Sequence, residues 1–183
     1  MTHSGSPRSL RVRQYAAGTV AIVASLAATA VVLLAPIPYR AMGEYGYLGV
    51  FAVTLLGTAS FVIPVPYLAV IVAAGSYLPP LSVALVAAVA AALGEVTGYV
   101  AGYAGRSLIP EAGWADRLRR LMARSGSWVV FVAALVPNPF FDLIGALAGA
   151  TRFSPWAFFS ICFAARALRY WPLAAVGGPL LGI

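Results

Sequence analysis

The length of its uncharged stretches constrains this chain more than any other feature. Fifty consecutive residues without a charge separate Glu44 from Glu95, and 26 separate Arg13 from Arg40. A helix needs about 20 apolar residues to cross a bilayer core about 30 Å thick, so each stretch can hold membrane segments. Only 9% of the residues are charged, against about a quarter in a soluble domain. The sequence therefore predicts an all-α integral membrane protein.

The charge that is present is mostly positive and lies at the ends of apolar segments. The chain has twelve arginines, no lysine and five acids, which gives a net charge of +7. No motif for RNA or DNA recognition accompanies it, so we expect no nucleic-acid partner. Arg8, Arg11 and Arg13 precede the first apolar run, and basic residues stay on the cytoplasmic side. We predict a multi-pass protein of the cell (plasma or inner) membrane with a cytoplasmic N-terminus.

Few residues are suited to catalysis or cofactor binding. His3 is the only histidine and lies in the polar N-terminal stretch, and Cys162 is the only cysteine. One cysteine excludes an internal disulfide and a multi-cysteine metal site. The sequence has no carboxylate cluster and no Gly-rich phosphate loop with a lysine. We expect no enzyme activity, no metal and no cofactor.

The chain divides into a tail and one membrane domain. Residues 1–13 are polar and basic and are predicted to be a disordered cytoplasmic tail, and residues 14–183 form a single membrane domain. Its first helix is predicted from about Tyr15 to Leu34. Residues 107–124 place apolar side chains on one face and arginines mostly on the other, which favours an amphipathic helix lying on the membrane surface over a solvated linker.

Prolines break two apolar stretches into pieces too short to span. The first, "VIPVPYLAVIVAAGSYLPPLS", and the second, "LVPNPFFDLIGALAGATRFSPWA", each contain Pro-x-Pro, then Ala-Gly, then a proline that opens a long segment. Pieces of roughly 12–16 residues are shorter than a bilayer core at 1.5 Å per residue, so each pair predicts a re-entrant hairpin. The prolines at the predicted hairpin turns are Pro64, Pro66, Pro137 and Pro139.

The shared order of these landmarks predicts an internal repeat. Repeat one covers about residues 45–106 and repeat two about residues 126–182, and long spanning segments are predicted at 81–103 and 154–181. The arginine distribution sends the two hairpins into the membrane from opposite faces. Paired, Gly/Pro-interrupted segments in an inverted repeat indicate a transport site near the bilayer midplane.

These motifs resemble the DedA, or VTT-domain (SNARE-associated), family of membrane proteins over roughly residues 45–180. The resemblance rests on "PVP" at 64–66, "GEVTGYVAGYAGR" at 94–106, and the block from "SGSWVVF" through "VPNPFFDLIGALAGATRFSPWAFF" to "YWPLAAVGG". It implies two opposed re-entrant hairpins. It also implies lipid movement across the bilayer, by scramblases or by flippases of undecaprenyl phosphate, coupled to an ion gradient.

The chain departs from the pattern of many bacterial members at the hairpins. Leu68 stands where they carry an acid after the first Pro-x-Pro, and Ala134 and Phe140 stand where they carry arginines. Glu95 matches the acid of their "G-D/E-x-x-x-Y" stretch. Asp142 belongs to a "PNPxFD" variant of the family, so lipid identity and coupling carry over only in part.

Four charged residues lie inside predicted membrane segments. Charges in the bilayer interior normally face a bundle interior or water and pair with one another. We therefore predict a substrate- or ion-binding cluster between the hairpin tips and the long helices, with Asn138 satisfying backbone groups at the second turn. The clustered residues are Glu95, Asp142, Arg166 and Arg169.

The predicted function is lipid transport, by a scramblase or flippase of phospholipid or polyprenyl-phosphate type. In this interpretation the arginines bind a lipid phosphate, and the carboxylates hold the arginines or carry a proton. The expected partners are anionic or phosphate-bearing lipids, with protons or sodium as coupling ions and a homo-oligomer left open. Two alternatives also remain open: a small-solute or ion exporter with the same fold, and a structural membrane organiser whose charges form a fixed ion-pair network.

Overall fold

A computed structural model of the chain describes residues 45–59, 66–105, 113–137 and 141–181, together with Ala27. These residues form six helices and no strand. The helices are α1 (Tyr45–Ala59), α2 (Tyr67–Gly75), α3 (Pro80–Ala104), α4 (Gly113–Leu135), α5 (Phe141–Ala150) and α6 (Pro155–Leu181). The sequence predictions that lie outside the described residues are the tail 1–13, the first helix apart from Ala27, Pro64, Asn138 and Pro139.

Prolines set where several helices begin. Proline is favoured at the first helical position, where its missing N–H costs no hydrogen bond and its φ is already helical. Accordingly, α3 begins at Pro80 and α6 at Pro155. Pro66 directly precedes α2, while Pro137 lies two residues past the end of α4. The two long segments predicted at 81–103 and 154–181 are therefore helices at nearly these bounds.

Among the residues that the structure describes, α3 is the one helix both long and apolar enough to cross a membrane. Two further apolar helices, α1 and α5, have 15 and 10 residues and are shorter than a span. Helix α6 has 27 residues, but it carries Arg166 and Arg169 as well as Pro172 and Pro179. The two arginines thus lie within a helix that is long enough to cross a bilayer.

Helix α4 joins two segments of opposite character. Its first half carries exposed arginines, and its second half, from Ser127, is apolar. The helical backbone is broken between the two halves at Ser125, where φ is −139° and ψ is 20°. The amphipathic helix predicted at 107–124 is described from Gly113 onward, and this break comes directly after its predicted end at Arg124.

The two long helices, α3 and α6, pack against each other at the centre, and the short helices pack around them. Helix α1 packs on α3, as α4 packs on α6; helix α2 packs on α6, as α5 packs on α3. Glycines permit the closest approaches, because a methyl group added to any of them would overlap a neighbouring backbone. These contacts are Gly75 with Ala174, Gly177 with Val72, Gly102 with Ala146, and Gly149 with Tyr99.

Candidate functional site

The centre of the molecule contains a buried ion pair between the two long helices. Glu95 on α3 and Arg166 on α6 are 4% and 5% exposed, and an Arg166 Nη donates to a Glu95 carboxylate oxygen. Around Glu95, α3 is built mostly from alanine and glycine, and such small residues allow close helix packing. The small neighbours therefore bring α6 near enough for the two charges to meet.

Both members of the pair lie close to the middle of their helices. Glu95 is three residues past the midpoint of α3, and Arg166 is two residues before the midpoint of α6. At 1.5 Å per residue these offsets are about 5 Å and 3 Å. If the long helices span a bilayer, the ion pair lies near its midplane.

The guanidinium of Arg166 also contacts a third helix. Its Cζ lies 4.8 Å from the ring centroid of Phe141, the first residue of α5. A cation over an aromatic face is attracted by the ring quadrupole. The thiol of Cys162, one turn before Arg166 on α6, is fully buried and lies beside the Glu95 carboxylate. The pair is thus enclosed by apolar and weakly polar groups.

Two tyrosines extend the polar centre toward α2. Tyr170, one turn after Arg166, is fully buried, and its ring meets that of Tyr67 edge to face with centroids 6.3 Å apart. Tyr67 is the first residue of α2. The two short helices α2 and α5 therefore both begin at this polar centre, one at Tyr67 and the other at Phe141.

Several polar atoms of this centre have no partner in hydrogen-bonding geometry among the described residues. They are the second carboxylate oxygen of Glu95, Nε of Arg166 and the hydroxyl of Tyr170. A buried polar group normally has a hydrogen-bond partner, because leaving one unpaired costs about 1–3 kcal/mol. The centre therefore has donor and acceptor capacity that the ion pair does not use.

Asp142 lies at the edge of this centre. It is half-buried in the first turn of α5, and it feels the charges of both Arg166 and Glu95. A carboxylate in the first helical turn is favoured by the helix dipole. The structure thus brings together three of the four predicted charged residues, with Asp142 outside the direct ion pair.

Arg169 occupies a different position from the one that the sequence suggests. It is half-buried, and its Cζ lies 6.0 Å from the ring centroid of Tyr170. Among the described residues no ion pair links it to Glu95 or Asp142. Asn138, predicted to satisfy the second turn, lies outside the described residues. Arg166 therefore pairs with Glu95, although it is Arg169 whose position in repeat two is similar to that of Glu95 in repeat one.

Sequence reasoning missed the aromatic and thiol neighbours of the pair. Cys162 and Tyr170 lie four residues before and after Arg166, which places all three on one face of α6. Tyr67 directly follows Pro66, as Phe140 and Phe141 follow Pro139. They lie four residues either side of a buried charge, or within two residues after a Pro-x-Pro.

This arrangement is suited to holding an anion in place of Glu95. Arg166 presents a guanidinium fork, which matches the oxygens of a phosphate as well as those of a carboxylate. The positive ends of helices α2 and α5 also favour negative charge where they begin. No group of three metal-ligating side chains occurs within the described ranges.

Comparison with known proteins gives one match. A family model described as the VTT domain matches residues 65–178, more than half of the chain. The matched span runs from the first Pro-x-Pro to the glycines near the end of α6 and contains all four charged residues of the predicted cluster. It confirms the resemblance that the motifs indicated. No curated protein and no solved structure matches the chain.

Proposed function

Because this chain belongs to the VTT domain family of membrane proteins, we propose that it moves phosphate-bearing lipids across the membrane, as a scramblase or flippase. The proposal is transport and not chemical conversion. The observation that carries it is the buried Glu95–Arg166 pair, which lies between the two long helices at the point where both short helices begin.

The packing pattern supports an inverted repeat as the basis of this transport. Each short helix, α2 and α5, packs against the long helix of the other half, and each pairing depends on glycines at the contact. In transporters built from inverted repeats, the binding site lies where broken helices of the two halves meet. We assign α1–α2 and the second half of α4 with α5 to two opposed re-entrant hairpins.

The short helices are compatible with this topology. Helix α2 has nine residues and α5 has ten, so they are about 14 Å and 15 Å long against a bilayer core of about 30 Å. Non-helical backbone at membrane depth is tolerated only where protein or a water-filled cavity covers it. The proposed orientation is multi-pass in the cell membrane, with the N-terminus in the cytoplasm.

Transport in this scheme proceeds by exchange of partners at Arg166. With no lipid present, Glu95 neutralises the guanidinium. A lipid phosphate entering between the short helices replaces the carboxylate, and Arg166 Nε, which has no partner among the described residues, supplies a further donor. Because the exchange leaves Arg166 paired in both states, it avoids an isolated charge in the membrane interior, which would be costly.

The released carboxylate requires its own counter-charge. Asp142 lies near enough to Arg166 and Glu95 to share their charge balance. We propose that a proton or a sodium ion at Glu95 or Asp142 accompanies the lipid. This step couples transport to an ion gradient without any further residue.

A second candidate function is favoured by one specific observation. Glu95 and Arg166 already neutralise each other directly, as a permanent structural lock between α3 and α6 would require. Under this alternative the chain organises the membrane and transports nothing.

A paired replacement separates the two functions. Replacing a buried ion pair by apolar residues of similar volume is often neutral or stabilising, so Glu95→Leu combined with Arg166→Met should fold. Purified protein is reconstituted into vesicles that contain a phospholipid with a fluorescent headgroup label, and a membrane-impermeant quencher reports how fast the lipid changes leaflet. Arg120→Met, an exposed change on α4, serves as the control.

The transport proposal predicts that the wild type and Arg120→Met accelerate lipid movement, whereas the folded double variant performs like protein-free vesicles. If the double variant is folded and as active as the wild type, the pair has no part in transport. If the wild type itself gives no acceleration over protein-free vesicles, the structural alternative is favoured.

A further inference from the structure

A cavity lies at the end of the molecule where α4 meets the turn between α5 and α6. It has a volume of about 790 Å³ and shares no residue with the central ion pair. One wall is formed by the first half of α4 and the other by the α5–α6 turn. The lining residues are Arg119, Met122 and Ala123 on α4, and residues 150–154 on the opposite side.

Arg152, on the turn side, has an unusual backbone conformation. Its φ is 58°, in the left-handed region where glycine is normally found. The backbone N–H of Arg152 donates to the Gly149 carbonyl and that of Phe153 to the Ala148 carbonyl, so Arg152 occupies the position after the helix that glycine usually fills. A non-glycine residue in this region is strained, and such an outlier supports a hypothesis of function. The arginine side chain is the feature that glycine would lack at this position.

The cavity presents cationic groups from both walls. Arg119 lines it from α4 and Arg152 from the turn. Among the described residues Arg119 pairs with Asp116 at 3.4 Å, and both side chains are about half exposed. Exposed pairs contribute little, so Arg119 can exchange this partner for another anion. Guanidinium groups match the oxygens of a phosphate, and both walls of the cavity contribute an arginine.

The surroundings place this cavity at a membrane surface. Charged residues are frequent on α4 up to Arg124 and then absent until Asp142. Beyond that boundary Trp128 is 71% exposed, and Trp156 at the start of α6 is 79% exposed. Exposed tryptophans are typical of the headgroup level of a bilayer. Apolar lining from Met122 and Phe153 suits the glycerol and upper acyl part of a lipid.

We propose that this cavity binds the phosphate headgroup of an anionic lipid, held between Arg119 and Arg152. The site anchors the α5–α6 turn to the membrane surface. Tyr99 on α3 donates a hydrogen bond of 2.5 Å to the Phe153 carbonyl, so the turn is fixed to the long helix as well. The proposal does not depend on the transport function.

Lipid binding to the purified full chain tests this site directly. The protein is held in mixed micelles, short-chain phosphatidylglycerol is titrated in, and bound lipid is counted by native mass spectrometry. Hydrogen bonds to charged groups contribute about 1.5–3 kcal/mol, and 1.4 kcal/mol is tenfold in affinity. We expect Arg119→Gln and Arg152→Gln each to weaken binding about tenfold or more. Arg120→Gln, which removes an exposed arginine outside the cavity, should leave it nearly unchanged.

Arg152→Gly separates binding from folding. Glycine adopts a positive φ without strain, so this variant should unfold at a higher temperature while losing phosphatidylglycerol. Inorganic phosphate and glycerol 3-phosphate should compete poorly, since neither contacts the apolar wall. Strong competition by either would identify a free-phosphate site and overturn the lipid assignment. Equal loss in Arg120→Gln, or full binding by Arg152→Gly, would overturn the site itself.

Discussion

The two halves of this molecule have matching helix packing and different chemistry. In each half a short helix follows a Pro-x-Pro and packs by glycine contacts on the long helix of the other half. The charges do not repeat: α3 contributes an acid at its centre and α6 contributes a base, and of the two short helices only α5 carries a carboxylate in its first turn. The matching packing brings the middles of α3 and α6 into contact. Because one carries an acid and the other a base, an ion pair forms at that contact.

The acid and the base have different roles in the proposed transport. A repeat with identical charges at its centre would place two like charges together, which the membrane interior does not tolerate. With Glu95 and Arg166 opposed, the site is neutral without lipid and remains paired when a phosphate replaces the carboxylate. In the proposed transport, this asymmetry allows Arg166 to alternate between the Glu95 carboxylate and a lipid phosphate.

The largest expected effect comes from breaking the central pair on one side. Glu95→Leu leaves Arg166 as an unpaired buried charge, and Arg166→Met does the same to Glu95, so each should lower the free energy of unfolding by about 3–5 kcal/mol. Denaturant titration in micelles followed by circular dichroism measures this loss. The loss should be larger in Glu95→Leu, since the stranded guanidinium keeps its charge, whereas the carboxyl left by Arg166→Met can take up a proton. A negligible loss in either variant would mean that the charges are not enclosed together.

The glycine contacts provide the next largest effect and compare the two halves directly. Gly149→Ala would press a methyl group into the Tyr99 carbonyl of α3, and Gly177→Ala into the Val72 carbonyl of α2. Overpacking of this kind costs about 1–3 kcal/mol, and we expect similar losses in the same titration. Gly49→Ala on α1 is the control, because nothing lies within 4 Å of the added methyl group. A loss in only one half would mean that the packing is not equivalent.

Asp142 has no counterpart in the first half, because no carboxylate occupies the first turn of α2. Asp142→Asn keeps the size of a half-buried side chain, so the free energy of unfolding should change by less than about 1 kcal/mol, mainly through the helix dipole. Lipid movement in reconstituted vesicles should fall several-fold when an ion gradient is imposed and much less without one. Equal activity of the variant and wild type under a gradient would remove Asp142 from the coupling step.

Two buried tyrosines are expected to have a smaller effect on stability than the glycine contacts. Tyr99→Phe removes the hydrogen bond to the Phe153 carbonyl and should cost about 0.5–1.5 kcal/mol. Tyr170→Phe removes a hydroxyl without a partner in hydrogen-bonding geometry among the described residues, so it should be neutral or stabilising in the same denaturant titration. A cost for Tyr170→Phe as large as for Tyr99→Phe would show that its hydroxyl is bonded.

The sequence was sufficient for features that depend on local chemistry. Pro80 and Pro155 open the two long helices as predicted, because proline at a first helical position acts through its own φ and missing N–H. The charges of Glu95 and Arg166 marked the central site, since an ionisable residue in an apolar segment requires a partner. Both inferences need only neighbouring residues and the properties of a membrane interior.

Features that depend on how helices cross were not predictable in the same way. Glu95 meets Arg166 and not Arg169, a choice set by the approach of α3 and α6 around alanine and glycine. The break at Ser125 was not predictable, because no proline lies next to it in the sequence. The positive φ of Arg152 was not predictable either, because glycine normally occupies this position after a helix and an arginine gives no sign of a left-handed conformation. Each of these results from tertiary packing.

If Arg166 binds lipids by their phosphate, two labelled lipids in separate, otherwise identical vesicles should change leaflet at different rates. One is a phospholipid, and the other is a glycosylated ceramide without phosphate but with the same fluorescent label. We predict that the wild-type protein accelerates leaflet exchange of the phospholipid and leaves the glycosylated ceramide at its protein-free rate. Equal acceleration of both lipids would contradict phosphate recognition by Arg166.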